Sequence, residues 1–304
     1  MTGGAGFIGS HLVRMLVGKG WSVTVLDDFS SGKMENLGEL VDSDDLRVVK
    51  GDVRDRKVVN ATLEGIDAVV HLAGFVDPTE SVNRPLFTND VNVNGTLNVL
   101  NACVQKSVGR FVFASSAAVY GDGDPLPLRE EYDLKPVTPY AASKVSGEYY
   151  CKMFYDCYGL SSVILRFFNV YGPGQGGNAY AGVITRFVRN RLRGEPLTIF
   201  GDGSQTRDFV NIEDVVEAIV RAVSFGSSKS EAFNVCTGRP MSINDLARCV
   251  CKVLRNDLEV QYVEPRAGDI MHSYGDPAKT QKVLVFKAHV DFEEGLRRFV
   301  GSLS

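Results

Sequence analysis

Tyr140 and Lys144 stand four residues apart in the run Pro139-Tyr140-Ala141-Ala142-Ser143-Lys144. On a helix their side chains lie on one face, one turn apart. A phenol with an ordinary pKa of about 10 is a poor base at neutral pH, and a neighbouring ammonium favours its phenolate. Lowering that pKa to about 7 takes roughly 4 kcal/mol, at about 1.36 kcal/mol per unit. Lys144 and a further positive group are suited to supply it. YxxxK alone is common on solvated helix faces. It gains weight here from a glycine loop upstream, Ser115-Ser116 between, and two arginines downstream, Arg207 and Arg266. A serine at the carboxyl end of a parallel strand faces the ligand crevice, which makes Ser115 and Ser116 more than turn residues. Arg207 and Arg266 lie outside the helix patterns and suit a bidentate grip on phosphates or sugar hydroxyls.

The glycine loop is Thr2-Gly3-Gly4-Ala5-Gly6-Phe7-Ile8-Gly9-Ser10. Gly3, Gly6 and Gly9 allow a tight turn, close approach of backbone to a pyrophosphate, and close packing of helix on strand. The helix pattern that follows offers its free amides and positive end to the phosphates. Asp27 comes 18 residues after Gly9, near the spacing at which a carboxylate takes the adenosine ribose hydroxyls. A carboxylate there repels a 2′-phosphate, so NAD is expected over NADP. The oxidised nicotinamide then provides the second positive group beside Tyr140. Asp52-Val53 is placed for the adenine edge, and Leu72-Ala73-Gly74 for close passage of the cofactor. Asn92 reads either as an ordinary buried hydrogen-bonder or as a group holding the nicotinamide-side phosphate or ribose. His71, inside an apolar run, reads as a core histidine.

These residues need a scaffold of alternating strands and helices. Strands are expected at Ser22 to Leu26, Leu46 to Lys50, Asp67 to His71, Arg110 to Ala114 and Ser162 to Phe167. Helices are expected at His11 to Gly18, Asp55 to Leu63, Arg84 to Lys106 and Val145 to about Asp156. Proline and glycines in Asn169-Val-Tyr-Gly-Pro-Gly174 interrupt the alternation. The expected division is therefore a dinucleotide-binding unit over 1–168 and a smaller mixed unit over 169–304, with some segments returning to the first. The second unit is expected to hold helices at Ala181 to Arg193, Val215 to Ser224 and Ile243 to Leu254, the last capped by Ser242. Its strands are expected at Leu197 to Phe200, Ala232 to Val235 and Glu259 to Val263, with Gly201 to Asp208 as a loop. Only Met1 precedes the glycine loop, where a buried strand is expected, so about five residues of a first strand are expected to be missing.

At 304 residues and a net charge of −4, the chain allows one or two domains and gives no reason to expect nucleic acid or an anionic membrane as partner. No apolar run approaches about 18 residues, and no basic segment followed by a hydrophobic one opens the chain, so a cytoplasmic location is expected. Six cysteines are scattered without C-x-x-C pairs or histidines at ligand spacing, which points to reduced thiols and no metal.

The segments TGGAGFIGS, LDD, GDVRD, HLAG, NVNGT, SSAAVYG, PYAASK, RFFNVYGP, FGDGSQTRDF and PRAGD together resemble the extended short-chain dehydrogenase/reductase family, over nearly the whole chain. Within it they are similar to the NAD-dependent UDP-glucose/UDP-galactose 4-epimerase group. The resemblance implies an α/β fold: a Rossmann doubly wound parallel sheet with a smaller mixed C-terminal substrate domain. It also implies NAD, a UDP-sugar substrate and a homodimer joined by helices such as Arg84–Lys106 and Tyr140–Asp156.

Carried over by position, the resemblance makes Ser116, Tyr140 and Lys144 catalytic. The cofactor would lie against Gly3, Gly6, Phe7, Ile8 and Gly9, then Asp27, Asp28, Phe29, Ser30, Ser31 and Gly32. Beyond these it would meet Asp52, Val53, Leu72, Ala73, Gly74, Val76, Asn92, Ser115, Tyr140, Lys144 and Phe168. Val76 stands where some epimerases have lysine. The nucleotide sugar would meet Ser116, Ala117, Ala118, Tyr140, Asn169, Val183, Thr198, Phe200, Arg207, Arg266 and Asp269. Ser273 falls at the position that limits acyl-group size, and a small residue there implies room for an N-acetyl group. Tyr140 would take the proton of the sugar 4-hydroxyl with Ser116 relaying or orienting it, and a 4-keto sugar would turn over before reduction on its other face. Related 4,6-dehydratases carry an Asp-Glu pair where Ala117 and Ala118 stand, and decarboxylases keep a glutamate in this stretch. Non-catalytic NAD-sensing regulators of this fold tend to lose the tyrosine or lysine, and both are present.

Overall fold

The computed structural model describes residues 1–122, 125–176, 182–255, 257, 259–265 and 270–303. In chain order the first half runs α1 (Phe7–Gly18), β1 (Val23–Asp27), β2 (Leu46–Lys50), α2 (Arg56–Thr62), β3 (Ala68–His71), α3 (Pro78–Asn83), α4 (Pro85–Asn89), α5 (Gly95–Gln105), β4 (Arg110–Ser116), α6 (Pro139–Tyr158) and β5 (Ser162–Phe167). There follow β6 (Asn169–Tyr171), α7 (Val183–Leu192), β7 (Leu197–Phe200), β8 (Thr206–Asn211), α8 (Ile212–Val223), β9 (Ser230–Val235), β10 (Pro240–Ser242), α9 (Ile243–Leu254), β11 (Val260–Val263), β12 (His272–Ser273), α10 (Ala278–Val283) and α11 (Phe292–Gly301).

The main sheet is parallel throughout. β2 pairs with β1 on one side, and β3, β4, β5 and β9 pair in that order on the other. Thr2 bridges the halves, pairing with Leu26 of β1 and His71 of β3. The central position of the sheet, where the sequence leads one to expect a full strand, is thus held by Met1 and Thr2. Their backbone bonds reach Leu26 and Val70. Strand order reverses there, between β1 and β3, and ligands of open α/β sheets bind at such a point beyond the carboxyl ends of the strands.

Side-chain alternation explains the layers. Val112 and Ala114 of β4, with Val163, Leu165 and Phe167 of β5, face a core shared with Leu12 of α1 and Val216 and Ile219 of α8. Phe111, Phe113 and Ile164 face the opposite core, with Val99, Leu100, Cys151 and Phe154. Both faces are covered, as near-continuous apolar runs such as Phe-Val-Phe-Ala require. A third core joins Tyr171, Phe187, Ile199, Phe209, Leu246 and Phe299 in the C-terminal part. There β8 pairs with β6, β10 and β12, and β7 pairs with β11. β9 returns to the main sheet.

Two expectations are corrected. The helix expected from Arg84 to Lys106 is composite: α4 leads into one π-helical turn, Asp90–Asn94, and then α5. Such turns recur at functional sites. The stretch Gly201 to Asp208, expected to be a loop, becomes β8 from Thr206 onward, because Asp208 to Asn211 are buried between neighbouring strands. Asn211 then caps α8 by accepting from the Glu213 amide at 2.9 Å, so that helix begins three residues before Val215.

Candidate active site

The glycine loop is held by contacts only glycine permits. A Cβ on Gly9 would lie 2.2 Å from the Gly3 carbonyl oxygen, and one on Gly3 (φ +69°) would lie 2.7 Å from the Ala73 amide nitrogen. The loop therefore presses against Leu72-Ala73-Gly74, the turn that leaves β3. Gly6 caps α1 without any side-chain bond, leaving that helix start open to an anion. These contacts fit a dinucleotide whose pyrophosphate crosses Gly6, Phe7 and Ile8.

Several residues expected to touch the cofactor by side chain have other partners. The Asp27 oxygens accept from the Ala5 and Phe29 amides, each at 2.9 Å. Asp27 thus fastens the glycine loop to the end of β1, and burial raises its pKa against those two bonds. Asp28 accepts from the amide and hydroxyl of Ser30. Asp52 is gripped by Arg54 at 2.6 Å, and its pKa is lowered by that bond. Ser30 and Ser31 are exposed and Phe29 half-buried. Gly32 packs on the Ala5 backbone, Val53 is buried, and Val76 projects outward, 55% exposed.

Asn92 sits in the π turn and is 3% exposed. Its Oδ1 accepts from the Phe75 amide at 2.7 Å, and its Nδ2 donates to the Phe75 carbonyl and to Ser143 Oγ, each at 2.9 Å. Ser143 Oγ donates to the Tyr140 carbonyl at 2.7 Å. Asn92 is therefore a clamp between the β3 turn and α6, and its ordinary reading as a buried hydrogen-bonder is the one the geometry supports.

The catalytic candidates converge. α6 is capped by Thr138, which accepts from the Ala141 amide at 3.1 Å, and Pro139 occupies its first turn, where a missing N–H is harmless. Ser81 of α3, fully buried, accepts from the Tyr140 amide at 3.1 Å. The Ser116 side chain stands by the Tyr140 phenol and favours its ionised form. Lys144, 4% exposed, donates to the Ala114 carbonyl at 2.8 Å. A Cβ on Gly74 would lie 3.6 Å from Lys144 Nζ. The turn that meets the glycine loop thus also meets the lysine.

Burial sets the electrostatics of the pair. Burial pushes the Tyr140 phenol up from its ordinary value, with the Ser116 bond opposing it. Lys144 Nζ lies 5.9 Å from the Tyr140 ring centre and 5.2 Å from that of Phe113. Burial lowers Lys144 itself to about 8. His71 is a core histidine, as expected, 1% exposed between the Thr2 and Thr96 hydroxyls at 2.7 and 3.0 Å. Burial and the Lys144 charge push it down to about 3.

Ser115 is corrected as well: its hydroxyl is turned to the buried Glu148 carboxylate at 2.5 Å. Phe168 is buried with Val119, Tyr120, Leu128 and Cys236. On the substrate side Ala117 and Ala118 follow Ser116 half-buried, and Asn169 is exposed at the start of β6. Val183 opens α7, and Thr198 and Phe200 lie in β7. Arg207 of β8 stands opposite Ser273 of β12, with its guanidinium on the Thr206 carbonyl at 2.8 Å. Arg266 and Asp269 lie outside the described residues. Sequence reasoning missed Ser81, Ser143, Glu148 and Arg166. The readable signal was polar side chains at spacings that bury them, such as an arginine inside Val-Ile-Leu-Arg-Phe-Phe.

Comparison with known proteins decides the family. The model of the NAD dependent epimerase/dehydratase family matches residues 1–236. The chain belongs to this family. Like its other members, it is an NAD-dependent enzyme of epimerase/dehydratase type with a Rossmann-type fold. It is 38% identical to the UDP-glucose 4-epimerase of Mycolicibacterium smegmatis over 302 residues, 99% of this chain and 96% of that one. A solved UDP-N-acetylglucosamine 4-epimerase from Methanobrevibacter ruminantium M1, in complex with UDP-N-acetylmuramic acid, superposes with a TM-score of 0.95. It is 39% identical, with 99% of this chain and 96% of that chain covered. The UDP-N-acetyl-alpha-D-glucosaminuronate decarboxylase of Bacillus cytotoxicus is 32% identical over 312 residues, 99% of this chain and 95% of that one. Among the described residues no helix is long and apolar enough to cross a membrane.

Proposed function

We propose that the protein is a UDP-sugar 4-epimerase that interconverts UDP-glucose and UDP-galactose and also takes the N-acetylhexosamine forms. One observation carries this reading: Lys144 and the glycine loop meet on the same turn, Leu72 to Gly74, while Tyr140 of the same helix stands by Ser116 at the end of β4. A bound NAD supplies reversible oxidation at the sugar C4 and, when oxidised, a positive ring that favours the Tyr140 phenolate. Tyr140 removes the 4-hydroxyl proton and returns it, and Ser116 orients that hydroxyl. Lys144 fixes the face of α6 against β4. Arg207 binds the diphosphate, which tethers the sugar while it turns. Ala117 and Ala118 place no acid near C6, which disfavours dehydration. The small Ser273, in β12 opposite Arg207, leaves room for an acyl group. The relatives named above, a UDP-glucose and a UDP-N-acetylglucosamine 4-epimerase, support both substrate classes.

Two copies would join through α4, α5 and α6, where Leu86 is 85% and Tyr149 65% exposed. The deciding experiment incubates the purified protein, without added NAD, with UDP-glucose, UDP-galactose, their N-acetyl forms and UDP-glucuronate, and separates the products. Galacto/gluco interconversion supports the reading. Release of CO₂ from the uronate or loss of water from the hexose, without epimers, would overturn it.

A further inference from the structure

Positions 140, 144 and 148 form one stripe of α6, each one turn beyond the last, and all three meet the end of β4. Tyr140 meets Ser116, Lys144 meets the Ala114 carbonyl, and Glu148 accepts from the Ser115 hydroxyl. Glu148 is held from the other side by Arg166, whose Nε lies 3.0 and 3.2 Å from its two oxygens and whose Nη2 lies 2.6 Å from one of them. Arg166 stands directly opposite Ser115 in the β4–β5 ladder. Its remaining arm donates to the Tyr120 hydroxyl at 2.8 Å and the Glu130 carbonyl at 3.1 Å. Both members of the pair are buried, Arg166 4% and Glu148 6% exposed. A buried ion pair is a weak source of stability, because desolvation offsets the attraction. Its place beneath the reacting groups calls for another role.

We infer that Glu148, braced by Arg166, is a positioning residue for the reaction: it fixes the end of β4 against the Tyr140–Lys144 face of α6 and keeps a negative charge one turn from the lysine. The groups facing Lys144 are Tyr140 and Glu148 on its own helix and His71 on β3. His71 is neutral near pH 7, since it is pushed down to about 3. Glu148 faces Arg166 on β5 and, on α6, Cys151, whose thiol is held protonated by burial. Glu148 therefore supplies the nearby charge that keeps Lys144 an ammonium against its own burial.

For its rates the inference rests on the epimerase reading; for the titration of Lys144 it does not. The test uses full-length Glu148→Gln labelled with ¹³Cε-lysine, with the Lys144 resonance assigned by Lys144→Met. Its titration midpoint should fall by about one unit relative to wild type, the usual effect of removing one facing opposite charge. The alkaline limb of the kcat profile should move with it. Glu148→Asp, which keeps the charge, should restore the limb while kcat stays reduced. Glu148→Gln alone strands the Arg166 charge, so Glu148→Gln/Arg166→Met, which removes both charges, should show a smaller shift in the same direction in a stable protein. An unmoved Lys144 midpoint in both variants, or activity that falls evenly at every pH, would overturn the inference. A wild type inactive on every UDP-hexose would sink the functional reading, and the lysine titration would still decide this one.

Discussion

Replacing Asn92 by alanine separates two roles for this residue. If it is the clamp seen here, the change removes three hydrogen bonds: two to the Phe75 backbone and one to Ser143. At about 1 kcal/mol net for each bond, and more where a buried partner is left unsatisfied, the loss is about 3 kcal/mol. For a chain of this length that lowers the melting temperature by about 5 °C. The reaction suffers more than stability. The β3 turn and the Tyr140 carbonyl lose their common anchor, and a misplacement of about 1 Å costs about 100-fold in rate. Cofactor content should survive, because the glycine loop is fastened separately by Asp27. The assay combines differential scanning fluorimetry, the NAD released on acid denaturation, and kcat for epimerisation. If Asn92 instead held a cofactor phosphate or ribose, the variant would emerge without NAD and with an unchanged melting temperature in cofactor-free protein. That outcome would refute the clamp.

Other expectations follow from the same geometry. Tyr140→Phe removes one oxygen from a buried ring, so NAD content should match wild type while kcat falls by about 10² to 10⁴; activity within tenfold of wild type would remove Tyr140 as the base. Gly9→Ala drives a Cβ to 2.2 Å from the Gly3 carbonyl oxygen and 2.6 Å from Gly4 Cα. Backbone must move, at about 1–3 kcal/mol, and isothermal titration should show NAD bound at least tenfold more weakly, unaltered affinity counting against a tight loop. His71 is lowered from 6.5 to about 3. The unfolded chain therefore binds a proton between those values that the native protein does not, and the stability from neutral His71 is complete above pH 6.5 and lost as pH falls toward 3. Urea unfolding across pH 4 to 7 should show this slope, and His71→Gln should flatten it.

Much of the scaffold is legible in the sequence because its signals are local. Strands such as Leu46–Lys50 and Ser162–Phe167 are short β-branched-rich segments between turns, and their limits agree with expectation to the residue. The glycine spacing identifies the loop, and the strand-end serines and helical Tyr-Lys pair identify the reacting groups. What stays hidden depends on residues far apart in the chain. The π turn arises because Asn92 has to reach both Phe75 and Ser143, 17 and 51 residues away. β8 forms because β6, β10 and β12 surround it, whereas Gly-Asp-Gly-Ser just before it reads as a loop. The spacing of Asp27 makes it a ribose ligand by expectation, but does not reveal that the Ala5 and Phe29 amides also bond its oxygens. The upward shift of Tyr140 was hidden because it comes from burial, which pair spacing does not report.

The direction in which Lys144 points changes how the tyrosine is activated. With Nζ on the Ala114 carbonyl, the ammonium fixes strand against helix, while burial holds the phenol above its ordinary pKa. In the proposed reaction such a base would become effective when the positive ring of the oxidised cofactor lies against it. A 4-epimerase benefits from this coupling. Its keto intermediate is released from the catalytic hydroxyl and has to turn within the site, and a permanently ionised tyrosine would offer no reason for the proton to return. The groups that do not turn are correspondingly fixed. Ser81 holds the Tyr140 amide, Ser143 its carbonyl, Asn92 the turn beneath the cofactor and Asp27 the glycine loop. Each tie comes from a different element, so in the proposed reaction motion would be confined to the sugar on its diphosphate tether.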